Sequence, residues 1–358
     1  MKALILCGGS GTRLRPLTYT RSKQLLPVAN KPIVEYVLDH IQSVGIRKIG
    51  VIIAPGTQAE IKSYFNAYSQ VKKRQIKISY ILQREPLGLA HAVKIARNFL
   101  KDEPFLMYLG DNLLKEKLRD SFEEFKRDNL DALVFLKRVD NAGAFGVAVL
   151  DRQGRIVRLV EKPKIPPSNL ALVGVYLFSA KIHKVIRTLK PSARGEFEIT
   201  DAIQKLIEQK AKVRGKILKD WWLDTGKKDD ILSANSTILD EYTQNKIEGR
   251  LDKKSKISGR VFIAKGAAIL NSTIRGPAVV GLRVKVRNAF IGPYTSIGDD
   301  SHIENSSIEH SVILKKVKIN GVARLEDSLI GENTQVIDSG KNHKALRLMV
   351  GDSAIIEV

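Results

Sequence analysis

The chain has 358 residues, enough for two domains with well-buried cores. Hydrophobic residues make up 43% and charged residues 27%, an ordinary globular balance, and no apolar run approaches the roughly 20 residues a membrane span needs. The net charge of +22 comes with only 6% aromatics and scattered basic residues, which argues against a nucleic-acid partner and leaves a Lys/Arg-rich solvated surface or the steering of small polyanions.

The first predicted strand, 3–7, ends at Cys7. A lone cysteine rules out an intrachain disulfide and a multi-cysteine metal site, and this one reads as a small buried filler. The apolar run is too short for a signal peptide and leads straight into a glycine turn, so the expectation is a cytoplasmic protein with no membrane partner. Further strands are predicted at 48–53, 76–82, 105–109, 132–136, 147–150 and 172–178. Helices are predicted at 33–44, 58–66, 89–99, 118–127, 181–188, 200–209 and 229–241. Such alternation predicts an α/β fold, a Rossmann-like and mostly parallel sheet with helices on both faces. Ligands of these sheets sit outside the carboxyl ends of the strands.

From about residue 250 a different period takes over. Ile257, Ile274, Ile291 and Ile308 are spaced by 17. So are Ile263, Val280 and Ile297, and Ile269, Val286 and Ile303. Ile313 to Ile330 and Ile319 to Val336 continue the series. Within each coil the aliphatics recur at six, six and five residues, the hexapeptide pattern of a parallel β-helix. The predicted organisation is a domain over 1–243, a linker over 244–255 and a β-helix over 256–358.

The turn Gly8-Gly9-Ser10-Gly11-Thr12-Arg13 follows the first strand. Glycines let successive N–H groups converge on phosphate oxygens, although such a turn alone is equally well read as purely structural. It is neither the dinucleotide fingerprint nor a Walker loop. Arg15 stands nearby, and Ser22-Lys23-Gln24-Leu25-Leu26-Pro27 comes next. With these two stretches the chain resembles the nucleoside-triphosphate sugar-1-phosphate nucleotidyltransferases. Further motifs of that family stand in the same order: Gln83-Arg84-Glu85-Pro86-Leu87-Gly88, Leu109-Gly110-Asp111-Asn112, Phe145-Gly146-Val147, Val160-Glu161-Lys162-Pro163, Gly174-Val175-Tyr176, Pro191-Ser192-Ala193-Arg194-Gly195-Glu196 and Trp222-Leu223-Asp224-Thr225-Gly226. The resemblance spans essentially the whole chain and matches the long form of the family, whose tail is a left-handed β-helix.

The resemblance implies that a sugar 1-phosphate oxygen attacks the α-phosphorus of a nucleoside triphosphate and expels pyrophosphate. The nearest match implies dTTP and glucose 1-phosphate, giving dTDP-glucose. UTP is the runner-up, since one methyl group is worth only roughly 1–3 kcal/mol of discrimination. The nucleophile is already an anion and needs no general base, in keeping with the absence of histidine from the motifs. What must be overcome is repulsion between two polyanions, by positioning and by neutralising charge.

By resemblance, Arg13 and Lys23 contact the triphosphate and Lys162 the sugar phosphate. Gly8, Gly9, Gly11, Thr12 and Gln24 complete the nucleotide cradle, with Gln83 and Gly88 at the base. Asn112, Gly146, Glu161, Gly174 and Tyr176 lie on the sugar side, Tyr176 being equally readable as a core aromatic. Asp111 and Asp224, each closing an apolar stretch, are read as a Mg²⁺ site completed by phosphates and water; a lone strand-end Asp would otherwise be a helix N-cap. Arg194 and Glu196 are given a structural or allosteric role, and His40, His91 and His183 ordinary helix positions. The tail is read as a scaffold for self-association into a homo-oligomer or for regulation, with the chemistry largely intact without it. The alternative is a second, acyl-transferring activity using His302 or His310.

Overall fold

The computed structural model describes residues 1–71, 76–338, 346 and 348–357; positions 339–345, 347 and 358 of the predicted β-helix domain lie outside them. Contacts divide the chain into two compact units. One comprises Met1–Ser10 and Val34–Leu223, the other Gly11–Ile33 and Asp224–Val358. Among the described residues, no helix is long and apolar enough to cross a membrane.

The first unit is built on a nine-stranded sheet: β1 Lys2–Cys7, β2 Lys48–Ile53, β3 Lys77–Leu82, β4 Phe105–Leu109, β5 Ala132–Arg138, β6 Gly146–Leu150, β7 Ile156–Glu161, β8 Leu170–Phe178 and β9 Val213–Ile217. The path runs β7-β6-β8-β4-β1-β2-β3, with β5 pairing both β8 and β9. Strands β4, β1, β2 and β3 are parallel to one another. β1 is buried along its whole length, as an interior parallel strand must be, and Cys7 is part of that buried run. The sheet is mixed rather than nearly all parallel, because β8 runs antiparallel to β4, β5 and β6. Its fully apolar sequence lets it pass through the middle of the sheet with both faces covered.

Two strands of this sheet, β7 and β9, lie outside the predicted strands. β7 breaks its alternation at a register shift between Ile156 and Arg158. β9 reads as polar, Val-Arg-Gly-Lys-Ile, yet its Gly215 lets the backbone close on Leu136: a Cβ there would stand 2.8 Å from that side chain. The core gathers under the sheet, where Phe105 and Phe178 meet at 5.6 Å beside Ala92, Ile199 and Leu206.

In the second unit the 17-residue spacing becomes lateral pairing. Ile257 pairs with Ile274, Ile274 with Ile291, and Ile291 with Ile308. The other two faces run Ile263–Val280–Ile297–Ile313–Ile330 and Ile269–Val286–Ile303–Ile319–Val336, all parallel. Three parallel sheets with one inward aliphatic per face form a parallel β-helix, consistent with the left-handed hexapeptide class. Asn271, Asn288 and Asn305 hold left-handed corners and donate amide to amide up the stack, at 2.8 and 3.1 Å. Inside the predicted linker, Lys246–Ile247 and Arg250–Leu251 already pair as the first coil. Their steps to the next coil, Ile247 to Ile263 and Leu251 to Ile269, are 16 and 18 residues, so the period that marks the later coils is blurred there.

The same unit contains residues 11–33 and the helix Lys228–Tyr242. Asn235 on that helix is fully buried. It accepts from Ala29 N–H and Ser296 Oγ, both at 2.9 Å, and donates to Tyr294 O at 2.9 Å.

Candidate active site

Because β1 to β4 run parallel, their carboxyl ends share one edge, and Gly8, Gln83 and Asp111 emerge along it. Registers fix this placement. Leu6 pairs with Leu109, Gly110 N–H donates to Leu6 O at 3.0 Å, and Gln83 N–H donates to Ile53 O at 2.9 Å. The Gln83 amide donates to Gly88 O at 3.2 Å and approaches His91 Nδ1 at 3.1 Å. Its Oε1 lies 3.2 Å from where a Cβ on Gly8 would stand. Gly8, Gln83 and Gly88 are therefore brought together, with the glycine leaving room beside the amide.

His91, expected at an ordinary helix position, joins this group. Its ring stacks on Phe197 at 6.1 Å, and burial, then Lys94, holds its pKa below the ordinary value. A neutral imidazole with Nδ1 as acceptor fits the Gln83 contact. No motif signals this, since the contact depends on the turn through Gly88.

Asp111 is only 8% exposed at the end of β4. Asn112, next to it, is committed on both sides: Nδ2 donates to Val173 O at 2.8 Å and Oδ1 accepts from Trp222 Nε1 at 3.2 Å. Gly174, at φ 84°, would place a Cβ 2.4 Å from Leu109 and 2.5 Å from the Asn112 amide. In this structure Asn112 and Gly174 shape the ground under Asp111.

The sugar-side candidates cluster around Glu161. Its Oε2 accepts from Thr200 Oγ1 at 3.1 Å and lies 3.1 Å from a Cβ position on Gly146. Arg194 reaches Glu161 at 3.4 Å, Glu196 at 2.9 Å and Glu198 at 3.2 Å. Burial pushes the Glu161 carboxyl above its ordinary value, against the pull of Thr200, Lys162 and Arg194. Burial, and then Glu161, pushes Glu198 up too. Arg194 is thus the shared counter-ion of the cluster, and Thr200 is a contact that sequence reasoning missed. Lys162 is exposed at φ 39°, a conformation unusual for a non-glycine, with its N–H on Phe145 O at 3.1 Å. Tyr176 is 2% exposed and stacks on Phe178 at 5.6 Å; burial and Glu161 push its phenol up. That is the environment of a core aromatic. His40, half-buried and bonded to Tyr108 Oη at 3.2 Å, and His183, buried and stacked on Phe105 at 5.7 Å, likewise hold packing positions.

Gly9 is exposed in the first unit, and the remaining candidates lie in the second. Gly11 is left-handed at φ 62°, and its carbonyl accepts from Thr18 Oγ1 at 2.7 Å and from Leu14 N–H at 2.9 Å. A Cβ on Gly11 would stand 3.4 Å from the Lys23 Cβ. Thr12 and Arg13 are exposed at the start of the turn Thr12–Leu14. Gln24 is 1% exposed and accepts from Ser22 Oγ at 2.6 Å, which makes it a brace of the segment. A Cβ on Gly226 would lie 2.8 Å from Arg13 Nη2 and 3.4 Å from Asp224 Oδ2, so this arginine and this carboxylate flank one glycine.

Asp111 belongs to the first unit and Asp224 to the second. Among the described residues, no three His, Cys, Asp or Glu side chains group to hold a metal. Each of the two carboxylates is a hard oxygen donor of the kind Mg²⁺ takes from a protein when phosphates and water supply the rest.

The family model for nucleotidyl transferases matches residues 2–241. A glucose-1-phosphate thymidylyltransferase of Streptomyces griseus is 44% identical over 358 residues, covering 100% of this chain and 99% of the relative. The low-salt glycan biosynthesis nucleotidyltransferase Agl11 of Haloferax volcanii is 40% identical, with 100% of each chain covered. A crystal structure of a candidate glucose-1-phosphate thymidylyltransferase from Bacillus anthracis, in complex with sucrose, superposes with a TM-score of 0.62 at 32% identity. It covers 66% of this chain and 94% of that one. Full-length likeness and the strand-end arrangement agree, and the chain belongs to the nucleotidyl transferase family.

Proposed function

We propose that the protein condenses dTTP with glucose 1-phosphate to give dTDP-glucose and pyrophosphate. The observation that carries this reading is the shared carboxyl edge of β1 to β4, where Gly8, Gln83 and Asp111 emerge side by side. The Streptomyces relative bears the corresponding name.

In this reaction a glucose 1-phosphate oxygen forms a bond to the α-phosphorus. The bond from that phosphorus to the bridging oxygen of pyrophosphate breaks, and no proton need move. Arg13 and Lys23 draw charge from the α-phosphate and the leaving pyrophosphate. Lys162 holds the sugar phosphate, and Glu161 accepts from sugar hydroxyls. Gly8, Gly9, Gly11 and Thr12 leave the backbone open to phosphate oxygens, and Gln83 with Gly88 faces the base. Asp111 and Asp224 are the residues that would hold Mg²⁺, which would supply positive charge against the phosphates. Asn112, Gly146, Gly174, Tyr176 and Gln24 shape and brace these groups. Residues 1–243 supply the chemistry, and the β-helix follows, with its first coil already at 246–251. The partners are these two small molecules and further copies of the chain, in the cytoplasm, without nucleic acid or membrane.

Pyrophosphate release measured across dTTP, UTP, ATP and GTP tests the assignment. The expected order of kcat/KM is dTTP first and UTP second, within the roughly tenfold to two-hundredfold range that one methyl group allows. A clear preference for UTP or ATP refutes the thymidylyl assignment.

A second reading draws on one observation. His310 Nδ1 lies 2.6 Å from Asp327 Oδ1, a pairing that would leave Nε2 as the basic nitrogen of a general base. Acetyl-CoA turnover by the wild type that is lost in His310→Ala would establish acyl transfer; no turnover by the wild type dismisses it.

A further inference from the structure

Residues 11–33 carry Arg13 and Lys23, and within the second unit they are held by residues more than 200 positions further along the chain. Near the start, a Cβ on Gly351 would lie 3.3 Å from Pro16, and Thr20 Oγ1 donates to Asp352 Oδ2 at 2.8 Å. Arg21 forms an ion pair with Glu332, 311 residues away, and its Nη2 lies 3.7 Å from Asp352 Oδ2. These three side chains are only 14–20% exposed. Glu332 N–H also donates to Asp352 Oδ1 at 2.7 Å, which ties two successive coils into the same knot. Near the other end, Asn30 donates to Ile297 O at 2.6 Å and Ala29 N–H to Asn235. Lys23 stands between the two anchorages, two residues after Arg21.

We propose that the last coils of the β-helix position the triphosphate-binding segment, with Thr20, Arg21, Glu332 and Asp352 as positioning residues. This goes beyond a tail that serves only self-association, and it rests on the reading of Arg13 and Lys23 as triphosphate contacts. The physical need is plain. The segment has three short turns and a two-residue hairpin, too little secondary structure to hold two cations in place. An ångström of misplacement opposite a transferring phosphoryl group can cost on the order of a hundredfold in rate. A planar guanidinium shared between two carboxylates fixes direction as well as distance, which a lysine does not.

The test uses the full-length protein and steady-state kinetics with both substrates. The variants are Glu332→Gln, Asp352→Asn, Thr20→Val, Arg21→Lys and the exchanged pair Arg21→Glu with Glu332→Arg. In Glu332→Gln, kcat/KM for dTTP should fall about tenfold or more, with KM for glucose 1-phosphate within about twofold of wild type. The exchanged pair should recover part of the loss. Should the Arg21 variants fail to fold, Thr20→Val, which removes the hydroxyl that donates to Asp352 and lies 3.4 Å from Leu17 O, carries the test with about a threefold fall. Hydrogen exchange of amides 11–25 in the full chain should quicken in the same variants. Variants that melt earlier yet keep kcat/KM for dTTP within twofold, or that leave exchange unchanged, overturn the proposal. A wild type that turns over no nucleotide sinks the functional reading instead, while the exchange rates still decide whether the coils hold the segment.

Discussion

Two carboxylates and one arginine carry the sharpest expectations at the scale of single residues. Asp111→Asn and Asp224→Asn keep the shape of the side chain and remove its charge. Each should lower kcat by about a thousandfold while circular dichroism stays native, since what is lost is stabilisation of developing charge. Near-normal turnover at low Mg²⁺ would strike that residue from the site. Arg194 is the common partner of Glu161, Glu196 and Glu198. Glu161 and Glu198 already titrate above the ordinary carboxylate range, because burial disfavours their charged forms. A carboxyl raised in this way favours the folded state most when protonated, so its contribution is full below its unfolded pKa and lost as pH rises through the folded one. Arg194→Met removes a cation that lowers both. The variant should therefore lose more stability at pH 7 than at pH 4.5, by on the order of 1 kcal/mol for so exposed an arginine. Equal losses in thermal melts at the two pH values would contradict this. Glu161 and Asp111 stand out in the sequence as motif residues. That Arg194 and Thr200 complete the Glu161 cluster does not, because a counter-ion 33 residues away leaves no local pattern.

Among the elements, β8 is the one whose behaviour its sequence conceals. Leu170–Phe178 is apolar throughout and reads as one more parallel core strand, yet it runs antiparallel and changes neighbours at Gly174. The register with β5 shifts between Leu172 and Tyr176, where the chain bends over the end of β4. Gly174→Ala should cost about 1–3 kcal/mol, from the positive φ and from a methyl group pressed on Leu109 and Asn112. Activity should fall further than stability does, because Asn112 adjoins Asp111. An alanine variant with unchanged melting and turnover would show that the bend tolerates a side chain. Helix positions were read closely: the predicted 33–44, 118–127 and 200–209 appear as Ile33–Ser43, Arg119–Arg127 and Ile199–Glu208. Apolar periodicity marks a helix that packs on a sheet wherever the sheet lies. The short strands β7 and β9 escaped because a bulge and a close-approach glycine replace alternation as the reason they pair.

For the whole molecule, charge offers the clearest measurement. Residues 245–358 hold 18 basic and 12 acidic groups, which leaves +16 of the net +22 on the preceding residues. If that excess steers polyanions, kcat/KM for dTTP should fall about fivefold to tenfold between 0.02 and 0.3 M salt, as the Debye length shortens from roughly 20 Å to below 8 Å. A flat profile would make it a solvated surface and nothing more. By itself the sequence determined the α/β alternation, the glycine turn with its flanking cations, and the stacked coils. All of these are written locally or at a fixed period of 17, because each coil pairs only with its neighbours. Only the tertiary structure decided that residues 11–33 join the β-helix unit, that the supposed linker is its first coil, and that Arg21 meets Glu332 across 311 residues. Such contacts pair side chains with no shared period and no sequence proximity, so they exist only once the chain has closed on itself.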